Sequence, residues 1–421
     1  MISCLIINVI SFLFLLKLIF YFLQKRVDNI LLWFCFVSIY FVNLPLLVDS
    51  FVSISPFTNT WSVLLLLHNK FWEYQFLENQ LFNISLFVLI FNIVFVGAYL
   101  LVSPIKKCQN TLIIQHSISK NSFLPWSQYG IMGGVGLTFF MLYYGISSFT
   151  NLGIEEWYSN REFNSGFIVI AFNFCIIATT SVVLKALYLK RTILGIIFLS
   201  PVLAVCYITG ARAYMITIVF CLLYYLLSKN ISRIYRLFFI IIIIGIMFSI
   251  LFTLIRGNAM LFYPISRDIS YSDLFYSFSN QENITTNGTN TLRLTLTGLP
   301  FVDYNTKDIS ILLADYKFFP GWGSLHPTLY GWAYIDLGFY GFILAIYLGI
   351  FSGILDQVRY KLPVKYNILF IPFIMRFITV LIRGSVQNAY SNIVYILFIF
   401  IIIYVMLKYV NQSLWREKYN N

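Results

Sequence analysis

The chain has 421 residues, of which 60% are hydrophobic and only 10% are charged. Several apolar runs exceed the roughly 18 residues that indicate a transmembrane helix, which excludes a soluble protein and predicts a polytopic membrane protein. In such a protein a net charge of +12 follows from topology, so we expect no nucleic-acid partner.

Hydropathy predicts an all-α transmembrane bundle of about eleven spans, each roughly 20 residues long. We interpret the first apolar run as a retained helix, because it has no preceding basic residue and no small-residue cleavage site. We expect a single integral membrane domain over 1–421. In chain order the predicted spans are 2–24, 30–48, 81–103, 127–148, 166–188, 192–209, 212–228, 237–255, 328–354, 366–382 and 392–409.

Basic residues orient these spans, because lysine and arginine concentrate in cytoplasmic loops. The resulting orientation predicts a cytoplasmic C-terminus and a long outer loop over 257–325. Long loops without obvious structure often act as lids or binding elements. The loops that define the inner side contain Lys25–Arg26, Lys106–Lys107–Lys120, Lys190–Arg191, Lys229–Arg233–Arg236, Arg359–Lys361–Lys365 and Arg416–Lys418.

The remaining arginines lie on or near the predicted outer face. Arg376 and Arg383 are two helical turns apart, which places Arg376 about 10 Å deeper on the same face. Arginine suits multidentate phosphate recognition, so we predict a cationic cavity that binds a phosphate or pyrophosphate. Its candidate ligands are Arg212, Arg256, Arg293, Arg376 and Arg383.

The segment 321–341, GWGSLHPTLYGWAYIDLGFYG, adds polar groups to the start of the ninth span. Pro327 suits the first turn of a helix, which predicts His326 as a cap residue facing water. Asp336 then lies about 14 Å below the helix start, where we expect it to form a structural pair with Arg376, since a charge at that depth needs a partner.

Several of these residues have a second interpretation. For His326 the second interpretation is a simple helix cap, and for Asp336 and Arg376 it is a purely structural pair. For Gly338 and Gly341 it is close helix packing rather than contact with a ligand. Aromatic residues of the outer side are expected to stack on sugars or to form an interfacial belt; these are Trp157, Trp322, Tyr330 and Trp332. Headgroup anchoring is the alternative for three arginines, namely Arg212, Arg256 and Arg383.

Two stretches together resemble a known family. They are GARAYMITIV over 210–219 and, after the long outer loop, HPTLYGWAYIDLGFYGFIL over 326–344. Their order and topology are similar to those of the O-antigen (oligosaccharide repeat unit) polymerases of bacterial surface polysaccharide pathways. The related O-antigen ligases carry an outer-loop histidine followed by GxxG at a spacing similar to that of His326 and 338–341. Pro327 replaces the usual polar neighbour, which favours a polymerase over a ligase.

The resemblance implies a membrane-embedded glycosyltransferase of the C type in the bacterial inner membrane. Such an enzyme transfers the growing glycan from undecaprenyl pyrophosphate to the next lipid-linked repeat unit at the periplasmic face. The resemblance implies that no cofactor or metal is needed. It also implies contact with membrane lipid and a chain-length-regulating co-polymerase as a partner. The family match covers Arg212 and His326 with its glycines. We predict His326, Arg212 and Arg383 as catalytic, with His326 as the base because its pKa is ordinarily near neutrality.

A flippase for the same lipid-linked sugar is the main rival, with a ligase and a non-enzymatic scaffold as further alternatives. Transporters commonly show related halves or a charged path through several spans. The sequence shows neither, since the unexplained arginines crowd the outer half.

Overall fold

The structure is a computed structural model, and within the residues it describes all regular structure is helical. The described residues are 2–25, 29–47, 50, 78–103, 132–139, 142, 166–208, 212–229, 274, 276–296, 309–317, 325–361, 364–384, 386, 389–390 and 405. The helices are α1 (Ile2–Lys25), α2 (Ile30–Ser38, followed by a π-helical turn Ile39–Asn43), α3 (Glu78–Val102), α4 (Gly166–Tyr188), α5 (Thr192–Ile208), α6 (Arg212–Lys229), α7 (Gln281–Ile284), α8 (Thr289–Leu296), α9 (Ile309–Lys317), α10 (Thr328–Leu337), α11 (Phe342–Lys361) and α12 (Val364–Arg383).

These helices confirm the all-helical, membrane-type architecture. Within the described ranges four helical stretches are long and apolar enough to cross a membrane: Ile2–Lys25, Ile30–Leu47, Gln80–Val102 and Thr328–Tyr360. The first three match predicted spans within a residue or two. The predicted span 237–255 and nearly all of 392–409 lie outside the described residues, and the count of about eleven spans stays a prediction.

The chain forms two compact units, and each is discontinuous in sequence. One unit comprises Met1–Ile113, Leu226–Leu362 and Ile378–Gln387, and the other comprises Ile114–Tyr225, Pro363–Phe377 and Asn388–Asn421. The first unit contains α1–α3 and α7–α11. It also contains the whole of the predicted outer loop 257–325, and three short helices, α7, α8 and α9, lie among the described residues of that loop.

Helices α3 and α11 pack closely and run in the same direction. A Cβ atom on Gly349 would lie 2.6 Å from the carbonyl oxygen of Phe95, and one on Gly353 would lie 3.0 Å from Val102 Cβ. Close packing at small residues is how helices associate in lipid. The 20 residues of α11 measure about 30 Å, which is the thickness of a bilayer's hydrocarbon core.

The end of α11 is held by a buried carboxylate. Asp356 accepts hydrogen bonds from the backbone N–H of Ile30 at 2.6 Å and from the Tyr99 hydroxyl at 2.5 Å. Its other oxygen lies 3.3 Å from Nε of Arg359, whose side chain is only 4% exposed. Arg359, predicted as a charge of an inner loop, lies within α11 and neutralises a buried acid.

Candidate functional site

Helix α10 does not continue straight into α11. The chain leaves α10 at Leu337, makes a 3-10 turn over Gly338–Gly341 and enters α11 at Phe342. A Cβ atom on Gly341 would lie 2.8 Å from the carbonyl oxygen of Ala333. Eight residues along a straight helix are about 12 Å apart, so this contact requires the chain to reverse. The predicted close-packing role of Gly341 agrees with it.

Aromatic contacts with α3 give the direction of α10. The Tyr334 ring lies 5.4 Å from Phe87, and the Tyr330 ring lies 5.1 Å from Phe91. Later residues of α10 therefore contact earlier residues of α3, and the two helices run in opposite directions. The sequence predicted one span over 328–354 starting at the outer surface. In the structure α11 by itself has the length of a span, and the N-terminal end of α10 lies beside the middle of α3.

The C-terminal end of α10 holds part of the predicted outer loop through Asp336, which is fully buried. Its carboxylate accepts hydrogen bonds from the backbone N–H groups of Asn290 at 3.1 Å and Thr291 at 2.7 Å. The hydroxyls of Thr286 and Thr291 donate to the same carboxylate. The Asp336 carbonyl oxygen accepts from the Gly288 N–H at 2.7 Å. Because the first turn of a helix has free N–H groups that attract an anion, Asp336 acts as a cap for α8.

The N-terminal end of α10 is strained. Thr328, its first residue, has a φ of 61°, a backbone conformation that is costly for a β-branched residue. Its side chain is 0% exposed, and within the described part of the chain its hydroxyl has no hydrogen-bond partner. The cap residue is Pro327, with no side-chain capping bond. Proline therefore stands where His326 was predicted, and the half-buried His326 lies one residue earlier.

The segment after α12 lies against this strained end. Gly384 has a φ of 101°, and a Cβ atom there would lie 2.5 Å from the Thr328 nitrogen and 2.8 Å from its carbonyl carbon. Only glycine fits so near another backbone. Arg383, which is half-buried, immediately precedes Gly384, and His326 precedes Thr328 by two residues. Two segments that carry predicted catalytic residues therefore meet at the Gly384–Thr328 contact.

Each residue of the predicted pair Asp336–Arg376 has described partners within its own compact unit. Asp336 is bonded to the loop residues described above. Arg376 donates a hydrogen bond of 3.1 Å from Nε to Oδ1 of Asn173, on α4. Asp336 and Arg376 belong to different compact units, and their pairing stays a prediction.

Only some of the other predicted residues lie within the described part of the chain. Arg212 is the first residue of α6, and Arg293 lies within α8, the helix capped by Asp336. Arg256 lies outside the described residues, as do Trp157 and Trp322. Tyr330 and Trp332 are both 0% exposed, which rules out the predicted sugar stacking in this conformation.

Sequence reasoning missed the residues that shape both ends of α10. The threonines that bind Asp336 are part of NITTNGTNT, a stretch whose polarity alone indicated only a loop. Thr328 and Gly384 act through backbone conformation, which leaves no pattern in a single sequence. Among the described residues, no group of three His, Cys, Asp or Glu side chains is placed to hold a metal ion.

Comparison of the chain with protein-family models, with curated protein sequences and with solved structures finds no match in any of the three.

Proposed function

We propose that the chain polymerises lipid-linked oligosaccharide repeat units, transferring the growing glycan from undecaprenyl pyrophosphate to the next repeat unit at the periplasmic face of the membrane. The Gly384–Thr328 contact carries this proposal. It brings the segment of Arg383, a cation suited to pyrophosphate, next to the segment of His326, a group suited to taking a proton.

The proposed reaction assigns each residue a role. A sugar hydroxyl of the lipid-linked acceptor attacks the anomeric carbon of the growing glycan. The bond from that carbon to the pyrophosphate oxygen breaks, and its electron pair leaves with undecaprenyl pyrophosphate. His326 takes the proton of the attacking hydroxyl. Arg383 stabilises the charge that develops on the pyrophosphate, an electrostatic role that often dominates catalysis. The candidates predicted from the sequence for the same role are Arg212, Arg256, Arg293 and Arg376.

The strained backbone and the buried hydroxyl of Thr328 also support the proposal. Strained backbone and buried polar groups without partners are uncommon in folded proteins, and they concentrate at functional sites. Thr328 has both features at the contact with Gly384. Its neighbours in sequence are therefore where we expect the chemistry.

The test is transfer by the full-length protein, in membranes or in reconstituted vesicles that contain purified lipid-linked repeat units. The products to measure are lengthened lipid-linked glycan and released undecaprenyl pyrophosphate. We expect His326→Ala and Arg383→Ala each to lower the rate by about 100-fold or more, because removing a base or one charge-stabilising group has effects of that size.

The matched control is Arg191→Ala, which removes an exposed arginine between α4 and α5 and should leave the rate within about twofold, as expected of an exposed surface position. Wild-type polymer from both site variants, in protein that inserts normally, contradicts the proposed residues. Absence of transfer by the wild-type protein contradicts the proposed reaction.

The folded-back α10 favours one other candidate, a flippase for the same lipid-linked oligosaccharide. Interrupted helices whose ends lie within the bundle are typical of transporter binding sites. The fate of the substrate separates the two functions. Cells that lack a polymerase transfer single repeat units to the final acceptor, whereas cells that lack a flippase accumulate them on the carrier at the inner face.

A further inference from the structure

Five buried residues form a circuit of hydrogen bonds that includes α10 and passes through one main-chain carbonyl group. The Tyr330 hydroxyl donates to Oδ1 of Asn92 at 2.7 Å, and Nδ2 of Asn92 donates to the Ser11 hydroxyl at 3.4 Å. Ser11 donates to Oδ1 of Asn43 at 2.7 Å. Nδ2 of Asn43 donates to the Ser38 carbonyl oxygen at 3.1 Å, and the Ser38 hydroxyl lies 3.0 Å from the Tyr330 oxygen.

The circuit has a single consistent direction. A tyrosine hydroxyl has one proton, and Tyr330 gives it to Asn92. Ser38 must therefore be the donor in its bond with Tyr330. All five residues are at most 1% exposed, where an unpaired polar group is costly, so the removal of one hydroxyl affects two partners at once.

Four elements meet in this circuit, and α10 joins it through Tyr330 alone. Ser11 belongs to α1 and Asn92 to α3. Ser38 is the last residue of α2, and Asn43 is the last residue of the π-helical turn that follows it. Such turns are rare overall and are often located at functional sites.

Packing contacts also hold this end of α10. Tyr330 packs edge to face on Phe91, and a Cβ atom on Gly331 would lie 3.0 Å from Oγ of Ser277. Apolar packing has little directional preference, whereas hydrogen bonds depend steeply on distance and angle. The Tyr330 hydroxyl therefore supplies a directional contact between the N-terminal end of α10 and both α2 and α3.

We propose that Tyr330 is a positioning residue, whose hydroxyl holds the N-terminal end of α10 so that His326, four residues earlier, meets the substrate correctly. This inference rests on the proposed transfer reaction, because His326 is the base in that reaction. Tyr330 itself is buried and does not touch substrate.

The first experiment is Tyr330→Phe in the full-length protein, which keeps the ring packing and removes the hydroxyl. We expect kcat for transfer to fall by about 10- to 100-fold, since a displacement of about 1 Å in a reacting group has effects of this size. KM for the lipid-linked repeat unit should change by less than about threefold, because contacts that bind the substrate equally before and during reaction are unaltered.

The matched control is Tyr340→Phe. Tyr340 lies in the turn at the other end of α10 and is 69% exposed, so the same chemical change there should leave kcat within about twofold, as expected of a surface substitution. Equal losses from both tyrosines would overturn the proposal.

A second set of variants separates positioning from stability. Adding Ser38→Ala and Asn92→Leu to Tyr330→Phe removes the groups that lost their partner, which should restore much of the thermal stability because paired removal is nearly neutral. We expect kcat to stay low in this stable variant. Recovery of kcat together with stability would show that Tyr330 serves stability alone.

A readout independent of activity places a reporter at the site. In the His326→Cys variant, the rate of modification by a membrane-impermeant maleimide reports the exposure of position 326. Adding Tyr330→Phe should change this rate by about fivefold or more, and adding Tyr340→Phe should not, since only the former releases the buried circuit. An unchanged rate overturns the inference about Tyr330, whereas failure of wild-type transfer overturns only the proposed reaction.

Discussion

The two ends of α10 differ in how their polar groups are satisfied. At the C-terminal end the Asp336 carboxylate accepts hydrogen bonds from three residues, and it caps α8. At the N-terminal end Thr328 has a φ of 61° and a buried hydroxyl that, within the described residues, has no partner. One helix of ten residues thus joins a fully bonded end to a strained one.

From this difference we infer that the Asp336 end of α10 anchors the loop, whereas the Thr328 end serves activity. A buried carboxylate with several donors contributes to stability and has no capacity left for a ligand. Strain and unpaired buried groups reduce stability, so they persist only where the surrounding structure holds them and something other than stability depends on them. We therefore expect changes at the Asp336 end to act through folding, and changes at the Thr328 end to act through activity.

The largest effect is expected from Gly384→Ala. Alanine at a φ of 101° is strained, and its Cβ atom would lie 2.5 Å from the Thr328 nitrogen, so one of the two backbone segments has to move. We expect transfer to fall by at least about 100-fold, because the segments of Arg383 and His326 separate. The free energy of unfolding should fall by about 2 kcal/mol or more from the backbone conformation alone. The two quantities are measured as glycan transfer and as thermal unfolding in detergent.

Gly97→Ala is the control for that change. Gly97 lies within α3, and no heavy atom stands within 4 Å of where its Cβ would be. Alanine there is expected to leave transfer unchanged and to stabilise the helix by up to about 1 kcal/mol. If Gly384→Ala behaves like Gly97→Ala, the two segments do not depend on their close approach.

Asp336→Ala is expected to have the next largest effect, and to act through stability. It leaves the N–H groups of Asn290 and Thr291 and two threonine hydroxyls without their acceptor, which costs about 3 kcal/mol. The loop that contains α7 and α8 should become sensitive to limited proteolysis at a lower temperature. Transfer per folded molecule should fall by less than about tenfold, since the Thr328 end is unchanged.

Glu282→Ala is its matched control, because Glu282 is an exposed carboxylate in the same loop. Its loss should change the free energy of unfolding by less than about 0.5 kcal/mol. A loss of transfer in Asp336→Ala as large as that in His326→Ala, in protein that is fully folded, would remove the distinction between the two ends.

Much of the helical scaffold was predictable from the sequence, because hydropathy over about 20 residues depends only on local composition. The bounds of α1, α4, α5 and α6 agree with the predicted spans within about two residues, which is within the usual error. The reversal at 338–341 was not predicted. It depends on Gly341 packing against Ala333, and in sequence the apolar pattern continues across the turn without interruption.

The candidate site was predictable only in part, because it too depends on contacts between residues that are distant in sequence. Charge counting selected Arg383, and the histidine-proline pair selected the segment of His326, so both sides of the Gly384–Thr328 contact were identified as regions of interest. The hydrogen-bond donors to Asp336 were not predicted. A carboxylate in an apolar run predicts a buried cation, whereas hydroxyl and backbone donors from a loop distant in sequence satisfy this carboxylate. Tertiary donors of this kind leave no periodic signal.

Thr328→Ala is expected to have the smallest effect on stability and gives the sharpest test of the comparison. The Thr328 hydroxyl is buried without a partner among the described residues, so its removal eliminates a desolvation cost and a branched side chain at a positive φ. The free energy of unfolding should therefore stay constant or rise by about 1 kcal/mol, whereas most threonine-to-alanine changes at buried positions lower it. Transfer should nevertheless fall by about tenfold, because the strained residue holds the junction between the His326 and Arg383 segments. A variant that is more stable and equally active would show that the strain at Thr328 serves no function, and the two ends of α10 would then differ in bonding alone.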